Sequence, residues 1–191
     1  MILINRRDFL IGLSGFTFYS LYAPTRVKSH ENQKVQAMEH YDMQLRPHHI
    51  LDIISDHGKG TEYQPHPYGH SLHLVAPRLL ADLDLKIRLV LQADDICQGC
   101  MHLLPEGKCN DVLAQLTPSP SKQAYNDVLD SRLFDDLAMM PGTETTTRAF
   151  LEAVNAKVPG IEKICTHPKE NQDERLKGLI DGLTRLGVRP A

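Results

Sequence analysis

The chain has no tryptophan, only four cysteines and few aromatic residues (6%). It lacks a long apolar run. Residues 10–23 form an uncharged, mostly apolar stretch of 14 residues, whereas a membrane-spanning helix needs roughly 20. There is no excess of basic charge. Residues 1–37 hold five of the 21 Lys/Arg and two of the 24 Asp/Glu, so the remainder carries a formal charge of −6. That balance disfavours nucleic acid as a partner, because a nucleic-acid-binding face is basic. Also missing are the His-Glu-x-x-His, Gly-x-Ser-x-Gly and phosphate-loop signatures, internal repeats and low-complexity runs. A length of 191 residues suits one domain behind a leader. A core of that size does not need cysteines merely to stay folded.

The N-terminus reads as an export signal. Arg6-Arg7 is followed by Asp8, Phe9 and Leu10, and then by the short apolar run. A positive segment before an apolar segment is the order of a secretory signal. The Arg-Arg-x-Phe-Leu core resembles a twin-arginine signal, with Asn5 in place of the usual Ser/Thr and Ile11 in place of the usual Lys. Cleavage at residues 35–37 (Val-Gln-Ala) fits the small-x-Ala rule better than cleavage at Ala23. No cysteine follows the apolar run, which excludes a lipoprotein anchor. The expectation is a twin-arginine-type signal and linker over residues 1–37 and a metal-binding domain over residues 38–191. The protein is then periplasmic or otherwise exported, with no membrane span in its mature form unless the signal is retained. An N-terminal amphipathic or buried helix is the alternative. The twin-arginine route carries folded proteins, often already holding cofactors, so the resemblance also points to a cofactor.

The expected fold is α+β: a mainly helical single domain with a short strand leading into a cysteine-rich metal-binding loop. Residues 24–43 read as linker. Pro47 suits the first turn of a helix, and Ile50, Leu51, Ile53 and Ile54 supply its apolar stripe up to residues 58–60 (Gly-Lys-Gly). A second helix is expected over residues 68–83, broken or restarted at Pro77, and a strand over residues 85–91. Further helices are expected over residues 122–140, 145–158 and 171–186. The first of these carries Tyr125, Val128, Leu129 and Leu133 on one side.

The chemistry concentrates in residues 94–111. Cys97, Cys100 and Cys109 stand as C-x2-C-x8-C. A two-residue gap lets two thiolates face one ion through a tight turn, as in zinc and iron–sulfur sites. Gly99 eases that turn, and Pro105 and Gly107 let the chain fold back to deliver Cys109. The fourth ligand is open between Cys165, His102, the acidic pair Asp94-Asp95 and the other histidines. Nine of the ten histidines lie beyond residue 37. His48 and His49 stand out as adjacent histidines just after a proline. His49 and His57 share a helical face, and His70 with His73 has helical-neighbour spacing. Two other readings use the same cysteines: two disulfides, with three possible connectivities, or a thiol–disulfide exchange site.

The run Leu-Arg-Pro-His-His-Ile-Leu at 45–51, Gly-Lys-Gly at 58–60, Asp-Asp-Ile-Cys-x-x-Cys at 94–100 and Gly-x-Cys at 107–109 resembles a family of small bacterial and archaeal proteins. Its function is unknown, and iron–sulfur binding is ascribed to it. The likeness covers roughly residues 45–140, including residues 121–126 and the Leu-Asp-x-Arg-Leu segment after them. It implies that His48, His49, Cys97, Cys100 and Cys109 belong to the metal site. Where the family carries a further cysteine this chain has Asp52, so Asp52 or Cys165 would complete an iron–sulfur cluster, or zinc would take its place. The expectation is an exported metal-binding protein serving electron transfer with a redox partner protein. The alternative is a small His-dependent metalloenzyme with a structural zinc or disulfide cysteine site.

Overall fold

The computed structural model describes residues 41–164, 167 and 169–190. The expected leader and Cys165 lie outside the described residues. The fold is α+β, with five helices and one three-stranded sheet among the described residues. Strand β1 (Met43–Leu45) leads into α1 (Pro47–Lys59), followed by α2 (Leu72–Ala81) and β2 (Lys86–Leu89). A single 3-10 turn at Asp95–Cys97 precedes α3 (Lys122–Asp136), β3 (Glu144–Thr146), α4 (Thr147–Ala156) and α5 (Gln172–Arg185).

The sheet order is β1-β2-β3, with β1 parallel to β2 and β3 antiparallel to β2. The register sets Leu45 beside Leu89 and Met43 beside Ile87. These four are buried with Ile50, Ile54, Leu79, Leu133, Phe150 and Leu183 in one apolar core. Because β1 and β2 are parallel, both leave the sheet at the same end. The Arg46–His49 segment and the Asp94–Cys97 segment therefore emerge side by side. Open sheets of this kind gather functional groups outside the carboxyl ends of their parallel strands.

The structure departs from the sequence-based expectations at element edges. Residues 43–45, partly assigned to the linker, form a strand, because pairing to β2 and burial of Met43 and Leu45 outweigh the polar neighbourhood. The second helix starts only at Leu72. His70 therefore lies outside it, and the helical pairing of His70 with His73 does not form. Pro77 sits inside α2 without ending it. Helix α3 stops at Asp136, and Val128 is half exposed while Leu129 and Leu133 face the core.

Helices α1 and α5 make the closest crossing. A Cβ on Gly182 would stand 2.1 Å from the Ile54 carbonyl oxygen, and one on Gly178 would stand 2.6 Å from that of Ser55. From the α1 side, a Cβ on Gly58 would meet the Gly178 carbonyl oxygen at 1.8 Å. Backbone cannot yield as a side chain can, so these three positions admit only glycine at this separation. Replacing Gly182 by leucine is expected to force the helices apart and cost about 1–3 kcal/mol or more. A drop in the thermal unfolding midpoint, with helical content retained, is the measurement that checks it.

Candidate metal centre

Two buried carboxylates organise the site. Asp94 is fully buried and ends β2's exit segment. Its Oδ1 accepts from the Ile96 and Cys97 backbone N–H groups at 3.1 and 3.3 Å, capping the turn that carries Cys97. Its Oδ2 accepts from the Arg46 backbone N–H at 2.8 Å and lies 2.7 Å from His49 Nδ1. One side chain thus ties the start of α1, a histidine ring and the first cysteine together. Burial alone would raise the Asp94 pKa, but His49 and these hydrogen bonds reverse that and hold it at about 2. Burial likewise opposes charge on His49, and the Asp94 carboxylate more than offsets it, so the His49 pKa is raised.

Asp130, on α3, is the second anchor and is also fully buried. It accepts from Arg46 Nε at 2.6 Å and from the His48 backbone N–H at 2.9 Å, and it holds His48 Nδ1 at 2.9 Å. Arg46 reaches on with Nη2 to Asp127 Oδ1 at 2.7 Å. Asp127 also accepts from Gln123 Nε2 at 2.7 Å, and Gln123 Oε1 accepts from the Cys109 backbone N–H at 2.8 Å. Gln123, Asp127 and Asp130 are spaced i, i+4 and i+7, one face of a helix. That face of α3 connects the buried arginine to the third cysteine.

The cysteine loop is built as a turn and a hairpin. Gly99, at φ +76°, lies against Gly69, at φ +77°, and a Cβ on either would come within 2.8 Å of the other's carbonyl oxygen. Met101 N–H donates to the Tyr68 carbonyl and Ser71 N–H to the Ile96 carbonyl, both at 2.8 Å. Leu103 then bridges Cys109 in antiparallel fashion, with Gly107 in the reversal. This hairpin brings Cys109 to the cleft that Cys97 and Cys100 also line.

Cys97, Cys100 and Cys109 line one cleft of about 250 Å³ together with His49, Asp52, His70 and His102. All three cysteines are free thiols, with no bridge between them. The cleft therefore gathers three soft sulfur donors and several imidazoles from segments far apart in sequence. His49 has the arrangement of a metal-ligating histidine: its Nδ1 is held by a buried carboxylate, which orients the ring and leaves Nε2 available. This donor set fits zinc or an iron–sulfur cluster. Among the described residues no three His, Cys, Asp or Glu side chains already converge on one point to hold an ion. The donors line the cleft without closing into a cage.

The remaining sequence candidates divide. His48 is buried and does not line the cysteine cleft. It lines a second cleft of about 290 Å³ that shares His49, Asp52, Lys122 and Asn126 with the first. Burial first, and the neighbouring His49 second, lower the His48 pKa despite Asp130. Asp94 and Asp95 are spent on backbone N–H groups rather than offered as ligands. Asp52 faces both clefts, with Oδ1 accepting from Arg175 Nη2 at 2.6 Å. His102 Nδ1 lies 2.9 Å from Asn110 Oδ1. Burial, with Asp94 adding to it, pushes the Cys97 thiol up to about 12. Without a cation it is a protonated thiol at neutral pH, which argues against a resting thiolate nucleophile or a thiol-exchange site. Arg46, Gln123, Asp127 and Asp130 carried no assigned role in the sequence. Arg46 stands directly before Pro-His-His, whereas no local signal marks the three α3 residues. No family model, curated protein or solved structure matches the chain.

Replacing Asp130 by alanine leaves Arg46 Nε and both His48 N–H groups without their acceptor, with Asp127 the guanidinium's remaining partner. The expected loss is about 3–5 kcal/mol, typical of a broken buried ion pair. Urea unfolding of the wild type and D130A, compared at equal slope, measures it.

Proposed function

We propose that this protein is an exported metal-binding protein whose centre forms in the cysteine cleft. Cys97, Cys100 and Cys109 supply thiolates and His49 supplies Nε2. The observation that carries the reading is the meeting of three free thiols and an aspartate-anchored imidazole on one cleft. An iron–sulfur cluster bound there would supply one-electron transfer, with potential set by burial and by hydrogen bonds near the sulfurs. The chain's own contribution is positional. Asp94 orients His49 and caps the Cys97 turn, the Gly69–Gly99 contact seats the turn, and Gln123 holds the Cys109 backbone. A metal bound there would require the cysteines as thiolates, so its affinity would rise with pH. A redox partner protein would then exchange the electron. Zinc on the same four donors would instead be structural.

Anaerobic purification of the chain, followed by a visible spectrum and assays for iron, sulfide and zinc, tests the centre. Broad blue-region absorption with matched iron and sulfide is the expected result. Colourless protein with about one zinc per chain would retain the site but remove electron transfer. Protein that takes up neither metal under reconstitution would overturn the reading. His49→Ala is expected to lose or bleach the centre while keeping the helical circular dichroism signal, whereas His102→Ala keeps both.

The leader carries the export part of the proposal. Replacing Arg6 and Arg7 together by lysine is expected to leave a reporter fused to residues 1–40 inside the cell. Undiminished export of that fusion would remove the twin-arginine assignment.

A further inference from the structure

Two segments of the chain carry no charged side chain, and they meet on the surface. Residues 63–77 and 96–105 contain no Asp, Glu, Lys or Arg, where a chain that is 24% charged would place about six among these 25 residues. Ser71 N–H donates to the Ile96 carbonyl and Met101 N–H to the Tyr68 carbonyl, both at 2.8 Å. The Ser71 hydroxyl donates to the Gln98 carbonyl at 2.9 Å, and Gly69 lies against Gly99. The joined surface holds large apolar side chains in solvent: Met101 is 70% exposed, Leu74 64% and Tyr68 37%. Leu74 follows Ser71 by three residues, about one helical turn, which keeps it on the side of the Gln98 turn. A contiguous apolar patch in water is uncommon on a monomer and marks a contact surface.

Charge and size indicate what covers it. Residues 38–191 carry a formal charge of −6, and a net charge of one sign keeps copies of a chain apart. The uncharged face is where two copies approach without like charges meeting. Its edges are balanced as well. Arg78 and Asp95 attract one another there, and Glu106 and Lys108 stand two residues apart with opposite signs. A two-fold axis sets a surface against itself, and an apolar, uncharged surface is complementary to its own copy. A stable interface takes roughly 20–30 residues from each side. The two segments hold 25 residues, of which only Val75, Ala76 and Ile96 are buried.

We propose that this uncharged face is the interface of a homodimer, in which Tyr68, Leu74 and Met101 of one copy are covered by the same face of a second. Backbone hydrogen bonds and the Gly69–Gly99 contact assemble the face without any metal, so the dimer and the metal centre can fail separately. Both segments line the cysteine cleft, Tyr68 and His70 from one and Cys97 and Cys100 from the other. A second copy seated here therefore borders that cleft and limits what reaches the cysteines from this side.

Sedimentation equilibrium of the full-length protein measures the mass in solution. A dimer is expected, with a dissociation constant in the micromolar range or below, as interfaces of this size hold. Leu74→Glu and Met101→Glu each put a charge on the face at an exposed position, so the fold is kept. Each is expected to weaken the dimer by at least about tenfold. Val128→Glu and Met140→Glu, at exposed apolar positions outside the two segments, are expected to leave it unchanged. Added salt is expected not to weaken the dimer, because no ion pair holds it. A monomer at every concentration would overturn the proposal. So would a dimer that survives both face substitutions, or one that the two control substitutions disrupt. A monomer that co-sediments with neutral phosphatidylcholine vesicles, and is released by Leu74→Glu, would give the face to a membrane surface instead. A dimer of protein that takes up neither iron nor zinc would leave this inference standing and sink only the metal reading.

Discussion

The arrangement depends on two carboxylates buried without solvent and made tolerable by what they hold. An ionised aspartate in the interior costs several kcal/mol unless its oxygens are satisfied. Asp94 and Asp130 reach satisfaction in a way that also assembles the site. Each takes a backbone N–H from the Arg46–His48 stretch and an imidazole from the His48-His49 pair. Asp94 adds the Cys97 turn, and Asp130 adds the Arg46 side chain. Desolvation makes these bonds compulsory, so the geometry of the clefts follows from the requirement that neither charge be left alone.

Consecutive helical residues lie about 100° apart around the axis. His48 and His49 at the start of α1 therefore diverge, and each meets its own aspartate: one from the β2 exit, one from α3. The same divergence sends one ring toward the cysteines and the other toward the second cleft. A single proline-started helix placed at the carboxyl end of a parallel strand pair can thus serve two spaces at once. The close α1–α5 crossing supports this from behind, because α5 brings Arg175 against Asp52 on the wall common to both clefts.

Much of this was legible in the sequence, and the illegible part has a physical pattern. The α+β class, α1 from Pro47, α5, and the return of Cys109 through a Pro/Gly reversal followed from local signals. Those signals act over a few residues: a fixed φ, an apolar stripe, a positive-φ glycine. What stayed hidden was long-range. Strands β1 and β3 have three residues each and exist only because β2 pairs with both. Asp130 carried no assigned role, because its partner Arg46 is 84 positions away. Asp94 and Asp95 looked like ligands because acids beside cysteines often are. Only the fold reveals that Asp94 is engaged by the Arg46, Ile96 and Cys97 N–H groups and the His49 ring, and Asp95 by the Gln44 N–H of β1.

The division of labour between adjacent histidines also bears on why the cysteine cleft stands open among the described residues. Neutral thiols repel one another far less than thiolates would, and burial beside the Asp94 carboxylate pushes the Cys97 thiol up. A preformed cage of three thiolates facing two aspartates would concentrate negative charge with nothing to balance it. A cleft that fixes its imidazole through Asp94 and carries its cysteines on a turn and a hairpin avoids that cost. On the proposed reading, a bound cation would supply the balancing charge, since its ligands must lose protons to bind. On that reading His49, held by Asp94, is the donor fixed in advance, and the Gly69–Gly99 contact seats the loop that brings the cysteines to it.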